Sequence, residues 1–583
     1  MPRWPALPRA VTSRLAGVAG DEQTILLVWA AGIGTASGLA VTIFYRFIDL
    51  VQQLALRGPV KLSAIPAYIV IPLVVLAGLA AARALVQWGA KGSEGENVPD
   101  VMYRVSVKGG QIPFLPVLYK TVAAGILIGT GGSVGQEGPV IVAGAATASR
   151  LGRWLRASPH RLRTLVGCGA AAGLSAAFNA PIAGLIFGIE KILGTTGDVA
   201  LGPFVVASIL ATAVSRSVFG NRPVLAMPAA YTSGTAQELI LYVLLGLITG
   251  AASVLYSRGV WRVHDWLRKM PGWQRVVVAA AVVGTLDVVF RADLWGHGAE
   301  SLNLSIVNER SIVFLLGLTA AKLIATALTL GAAGTGGVFT PALFIGATLG
   351  GAFAGVVHQI SPTSTLAPAA AALVGMAGLV AGSTHAPLTA IFMVFEMTGD
   401  YALILPLMLT GVLAFLVARR LAPESIYTEW LARRGVHLSH GADAAILARV
   451  PIAECMDRAP DVVPESAGIE EIKLRLSQAR LPALPVIDAD GRLRGMLSPA
   501  SVRDATQADP ALAGVVIALD LAETRYEPLT TDNSLLSALR LFARYDVPVL
   551  PVVAAGDADR LVGTVSRASV WAVYDRHLSA SHH

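Results

Sequence analysis

One glycine-rich stretch occurs twice in this chain, and both copies lie inside regions too apolar for a soluble protein. Stepping from Lys120 to Lys322 without a gap (322 − 120 = 202) also aligns Gly129 with Gly331, Gly132 with Gly334, Ser133 with Thr335, Gly135 with Gly337 and Pro139 with Pro341. The first copy reads GTGGSVGQEGP from Gly129 to Pro139, and the second reads GTGGVFTP from Gly334 to Pro341. A further matched pair follows each copy: Asn179, Ala180, Pro181 and then Glu190, against His385, Ala386, Pro387 and then Glu396. Paired apolar segments interrupted by glycine and proline in two halves point to a transporter, with broken helices meeting near the bilayer midplane.

Composition agrees with a membrane setting. The 583 residues are 54% hydrophobic and 14% charged, against roughly 25% charged in soluble domains, and the mean hydropathy is +0.63. Nine clear apolar runs lie between Thr24 and Leu421, from 24–51 through 163–194 to 402–418. Shorter glycine-rich segments at 139–149 and 341–356 suit partial helices, which a membrane tolerates where they are buried in protein or line a cavity. The net charge of +7 reads as orientation by basic loops, not as nucleic-acid binding: Arg3, Arg9 and Arg14 precede the first run, and Arg150, Arg153, Arg156, Arg161 and Arg163 crowd one connection. The first apolar run begins after Asp21 and Glu22 without a small-residue cleavage site, so no cleavable signal is expected. Cys168 and Cys455 share no ligand spacing, so neither a disulfide nor a metal site is expected, and no catalytic constellation marks an enzyme.

The chemistry concentrates at the first glycine-rich copy. Proline at a helix's first turn loses no hydrogen bond, and glycines before it let backbone approach a ligand closely. Gly135 to Pro139 therefore reads as a loop feeding a helix N-terminus, whose unpaired N–H groups and positive dipole end favour an anion. Glu137 is the one carboxylate there, so its side chain competes for the place of a small anion. An intramembrane carboxylate is a functional candidate by default.

In chain order, a basic arm (1–21) leads into a membrane domain (22–430, with halves at about 24–220 and 235–430). A linker (431–449), with a linking helix over 423–435, follows. From about 450 short β-branched runs alternate with charged helical stretches, as in a soluble α/β module. This region is duplicated too. LPALPV (481–486) and VPVLPV (547–552) are each followed by Gly495, Ser498, Ser501 or by Gly563, Ser566, Ser569, which marks a tandem pair over about 450–507 and 520–575 with a shared core and a short tail at 576–583.

These motifs together resemble the CLC family of chloride channels and chloride/proton antiporters, followed by a CBS-domain pair. GQEGP (135–139) is similar to the family's gating-glutamate motif, GVFTP (337–341) to an anion-binding motif, FNAPIAGLIFGIE (178–190) to an interfacial helix and Tyr427 to its central tyrosine. The resemblance implies an all-α membrane domain of inverted repeats and a homodimer with one pore per subunit, in an inner membrane with the CBS pair cytoplasmic. It implies chloride and protons as the transported ions, Glu137 as gate, and Gly135, Gln136, Gly337, Val338, Phe339 and Tyr427 around the anion. Glu190 and Glu396 read equally well as helix-end charges or as part of transport.

Three departures from the family pattern stand out. Its GSGIP motif is replaced by GSEGENVP (Gly92–Pro99), which puts either Glu96 or, with a short insertion, Ser93 at the central serine. Lys191 stands where many of the family's antiporters carry an internal proton-transfer glutamate. In the CBS pair, Ser501 and Ser569 stand three residues after Ser498 and Ser566, where nucleotide-binding members carry aspartate; an adenine nucleotide at this pair is the single cofactor in view. The leading expectation is chloride/proton antiport gated by Glu137 and modulated by the CBS pair. The alternatives are a passive voltage- or pH-gated chloride channel, a transporter for fluoride or nitrate, and a CBS-based sensor with a membrane anchor.

Overall fold

In hydrocarbon a backbone must satisfy its own N–H and C=O groups, so the apolar runs become helices. The computed structural model describes residues 22–57, 66–90, 97–194, 200–221, 225, 236–290, 293–296, 310–433, 447, 450–499, 501–503, 516–524, 526–545 and 547–581. It divides into two units, Met1–Leu438 and Ser439–His583.

The first half of the membrane unit contains α1 (Glu22–Gln52), α2 (Ala67–Gly89), α3 (Asn97–Val107), α4 (Phe114–Gly129), α5 (Glu137–Trp154), α6 (Pro159–Phe178), α7 (Pro181–Phe187) and α8 (Leu201–Phe219). The second contains α9 (Ala236–Arg268), α10 (Gly272–Val289), α11 (Ile312–Ala333), α12 (Phe339–Ile360), α13 (Pro368–Thr384), α14 (Pro387–Thr398), α15 (Ile404–Leu421) and α16 (Thr428–Ala432). Among the described residues, eight helices are long and apolar enough to cross a membrane.

The duplication reappears as packing. Helix α5 lies against α6, and α12 against α13. Gly144 of α5 faces the Gly169 carbonyl, and Gly346 of α12, its partner at the same 202-residue step (346 − 144), faces the Gly375 carbonyl, so closely that a Cβ at either would overlap backbone. Small residues let helices approach where lipid supplies no hydrophobic drive. The breaks are repeated as well: α6 ends at Asn179 (φ 55) and α13 at His385 (φ 53), both left-handed, and Pro181 and Pro387 then open α7 and α14.

The apolar run 163–194 holds two helices, because Asn179 turns the chain before Pro181. Two sequence expectations need correction. The segment 341–356 is not a partial helix; it lies inside the 22-residue α12. Its glycines serve helix packing, and most of its residues face protein. The linking helix expected over 423–435 is confined to Thr428–Ala432 in the described residues.

The second unit holds two copies of one motif. In the first, β1 (Val463–Pro464) runs parallel to β2 (Leu484–Ile487), which runs antiparallel to β3 (Leu493–Leu497), with α17 (Ile469–Gln478) between β1 and β2. In the second, β4 (Leu529–Thr530), β5 (Val549–Ala554) and β6 (Asp557–Ser566) repeat that order around α19 (Leu535–Tyr545), after the short α18 (Ala518–Leu521) and before α20 (Arg567–Ser581). Ala483 and Met496 of the first copy pack with Val549 of the second, so the copies share apolar contact.

Candidate functional site

The two glycine-rich loops meet. Gly135 and Gly337 exchange backbone hydrogen bonds, each N–H donating to the other's carbonyl at 2.8 Å, in an antiparallel bridge. This joins the loop before α5 to the loop before α12 and brings the two helix N-termini together. Glu137 opens α5 and is fully buried. Its Oε1 accepts from the Phe339 N–H at 2.5 Å and its Oε2 from the Thr340 hydroxyl at 2.7 Å. The carboxylate thus lies on the N-terminus of α12, where orphan N–H groups and the helix dipole favour negative charge. A Cβ on Gly135 or on Gly337 would overlap it. Both glycines are therefore the space the carboxylate fills.

The surrounding residues hold this junction. Val338 precedes α12, and its carbonyl accepts from the Tyr256 hydroxyl at 2.8 Å. The Phe339 ring tilts against Phe178 at 6.0 Å. Gln136 is the residue before α5 and its carbonyl accepts from Val140 N–H. The Asn97 side-chain amide donates to the Gly336 carbonyl. Ser133 and Thr326 share a hydrogen bond at 3.2 Å.

Tyr427 is the residue before α16 and is buried, and its hydroxyl has no partner among the described residues. It lines a cavity of about 50 Å3 with Pro99, Gly138, Trp261, Gly337 and Val338. A buried hydroxyl left unpaired costs roughly 1–3 kcal/mol, so this donor calls for an acceptor. Arg433, just past α16, fixes this corner by a two-pronged bond to Asp265 (2.8 and 2.9 Å) and a bond to Glu429 (2.8 Å). Those carboxylates hold its guanidinium above its ordinary range despite partial burial, which works the other way.

Glu190 and Glu396 sit elsewhere, as crossed helix caps. Glu190 accepts from the Thr389 N–H (3.0 Å) and hydroxyl (2.6 Å) at the start of α14, while Glu396 accepts from the Ile182 and Ala183 N–H groups (3.0 and 2.8 Å) at the start of α7. Each half caps the other. Lys191 is buried in the π-helical turn after α7, within electrostatic reach of Glu190, Glu424 and His385, and its side chain makes no hydrogen bond or ion pair among the described residues. Ser93 and Glu96 lie outside the described residues, so the choice between them is not placed; Asn97 to Pro99 begin α3 beside the cavity.

Sequence reasoning overlooked Thr340, Tyr256 and Asn97. Thr340 stood inside the motif already singled out, and a hydroxyl in a helix's first turn is a donor signal. Asn97 stood inside GSEGENVP, but the reading of that motif turned on Ser93 and Glu96, and its partner lies 239 positions away; Tyr256, a single polar residue whose partner lies 82 positions away, had no comparable mark.

A family model described as voltage gated chloride channel matches residues 77–419. The chain belongs to that family. Models of the CBS domain match residues 452–507 and 518–570 of this CLC protein. It is 34% identical over 368 residues (62% of this chain, 85% of the relative) to a putative chloride channel protein ClcB-like of Ralstonia nicotianae. It is 31% identical over 447 residues (74% and 92%) to the H(+)/Cl(-) exchange transporter ClcA of Yersinia pseudotuberculosis. A crystal structure of a slow cyanobacterial Cl-/H+ antiporter superposes with a TM-score of 0.63 at 26% identity, covering 70% of this chain and 97% of that one.

In the CBS pair of this CLC protein the four serines serve local structure. Ser498 and Ser501 hydroxyls lie 2.7 Å apart, and Ser501 also donates to Glu523 at 2.8 Å. Ser566 and Ser569 cap one another's backbone, at 3.2 and 3.0 Å. Cys455 is buried in the same unit, and burial pushes its thiol up to about 11. No cluster of metal-ligating side chains occurs among the described residues.

Proposed function

We propose that this CLC protein exchanges chloride for protons, with Glu137 as the group through which the two ions are linked. One observation carries the reading: a carboxylate occupies a cradle of helix N-terminus, hydroxyl and glycine space that suits a small anion. While charged, Glu137 and the transported anion compete for the same N–H groups, and like charges repel. Once protonated, the side chain loses the attraction of the α12 N-terminus, swings out and yields the cradle to the anion. Deprotonation reverses the exchange, so each cycle ties one proton site to one anion site. The relatives named as exchanger and antiporter support the same reading.

Val338, Phe339, Thr340 and Tyr427 would hold the central anion, the first three from the start of α12 and the last from its unpaired hydroxyl. The crossed caps occupy Glu190 and Glu396, so Lys191, buried and without an ion pair among the described residues, is a further ionisable group on that side to assist the proton. A homodimer fits the short helices α7 and α14, of 7 and 12 residues. Neither reaches across a bilayer, yet Ile182 and Leu388 on them are exposed beside exposed Leu201, Val205 and Leu405. A second copy covers such a face better than lipid. We propose an inner membrane, as the family resemblance implies, with the CBS pair cytoplasmic, the side that basic connections favour. An adenine nucleotide remains the ligand class proposed for the CBS pair.

Purified protein in liposomes, with chloride and pH gradients set independently, tests the exchange. A chloride gradient should drive protons uphill. Chloride movement with a reversal potential blind to pH would replace exchange with passive conduction.

A further inference from the structure

We propose that Lys322 is a positioning residue for the Glu137 gate, acting from behind both loops of the site. The inference rests on the antiport reading above and assigns a role to a buried cation that the reading does not use. Lys322 lies on α11, at the position equivalent to Lys120 in the repeat, and its side chain is fully buried. Its ammonium donates to the carbonyls of Leu294 and Gly296, both at 3.0 Å. It also stands 5.2 Å from the centre of the Phe344 ring.

These contacts reach the gate by two routes. The first runs through the loop that Lys322 grips. Trp295, between the two bonded carbonyls, fills the place beside Gly131, where a Cβ would lie 2.8 Å from its ring; Gly296 (φ +58) presses on the Ile128 carbonyl, a Cβ there meeting it at 2.9 Å. Ile128 and Gly131 belong to the end of α4 and to the turn that leads to Gly135 and Glu137. The second route runs through Phe344, five residues after Phe339 on α12, the helix whose first N–H groups hold the carboxylate. One ammonium thus braces the loop behind Glu137 and the helix in front of it.

The charges around Lys322 fit a fixed brace and not a mobile carrier. Asp287 of α10 is buried and within electrostatic reach, but makes no ion pair with Lys322; one of its oxygens is unpaired among the described residues. Asp293, in the gripped loop, is paired with Arg310 at 3.8 Å. A buried ammonium without a directly paired carboxylate is costly unless its donors are satisfied, and here two carbonyls and an aromatic face satisfy it. Removing it releases the loop, and the carboxylate is held less firmly on α12.

The experiment compares Lys322→Met, Lys322→Arg and Trp295→Ala in liposomes, with chloride efflux and proton uptake read together and folding checked by gel filtration. Lys322→Met should raise chloride efflux above that of the parent and lower protons moved per chloride by about two-fold or more, the scale on which residues touching neither ligand change coupling. Arginine at 322 should restore both, and Trp295→Ala should reproduce the methionine phenotype, deciding the matter if the methionine variant does not fold. In a Glu137→Gln background Lys322→Met should add nothing, since no carboxylate remains to be held. A parent that moves no protons defeats the antiport reading alone; efflux of the two loosening variants then decides the brace by itself. Folded variants with the parent's efflux and ratio, or an equal effect of Lys322→Met with and without Glu137, would overturn it.

Discussion

Glu137 places one charge on N–H groups at a helix start, where the helix dipole favours any anion, and the room for that charge comes from the lack of two side chains. Gly337→Ala puts a methyl where the carboxylate lies, so Glu137 cannot reach the Phe339 N–H. Chloride efflux should persist while protons per chloride fall; a parental ratio would show that the carboxylate fits elsewhere. Tyr427 contributes a donor rather than space. Hydrogen bonds to charged groups contribute roughly 1.5–3 kcal/mol, so Tyr427→Phe should weaken chloride binding by about ten-fold or more in calorimetry, and unchanged affinity would mean its hydroxyl never meets the ion. In the soluble unit, burial raises the Cys455 thiol to about 11. Below that pH the thiol form dominates, so maleimide labelling of the folded protein at pH 7 should be slow and should speed up as pH rises or as the unit unfolds; fast labelling at pH 7 would contradict the buried setting.

At the level of elements, the two halves are tied through helix ends. Glu190 caps α14 and Glu396 caps α7, so each capping carboxylate comes from the opposite repeat. Cap removal typically costs about 0.5–2 kcal/mol. Glu190→Gln and Glu396→Gln should each lower the thermal midpoint in detergent, with the double variant close to additive, because the two caps share no hydrogen-bond partner; midpoints equal to the parent's would deny the caps a structural role. The repeat was legible because glycine, proline and carboxylate cannot be scattered through apolar segments without cost, so their recurrence at one step carries information. The meeting of Gly135 with Gly337 followed from the same pattern. Other features were less legible, for physical reasons. The turn at Asn179 leaves no mark in hydropathy, since the left-handed conformation needs one residue, and only the recurrence of Asn179, Ala180 and Pro181 as His385, Ala386 and Pro387 located it. The length of α12 was underestimated because glycine lowers helix propensity in water, whereas inside a bundle it permits contact with α13. Asn97 and Tyr256 act across distances no local pattern reports.

At the scale of the molecule, every residue placed at the anion site precedes the boundary between the two units at Leu438 and Ser439. We therefore propose that the CBS pair modulates transport without being needed for it. Truncation after about residue 440 should leave measurable chloride flux in a protein that still folds, while a folded, dimeric truncation that conducts nothing would make the module part of the machinery. The central claim, that a single carboxylate links the two ions, is tested most directly by Glu137→Gln. Glutamine keeps the shape of the protonated acid but cannot release a proton. In liposomes with an imposed chloride gradient the variant should carry chloride and move no protons; uphill proton movement by Glu137→Gln would contradict the account.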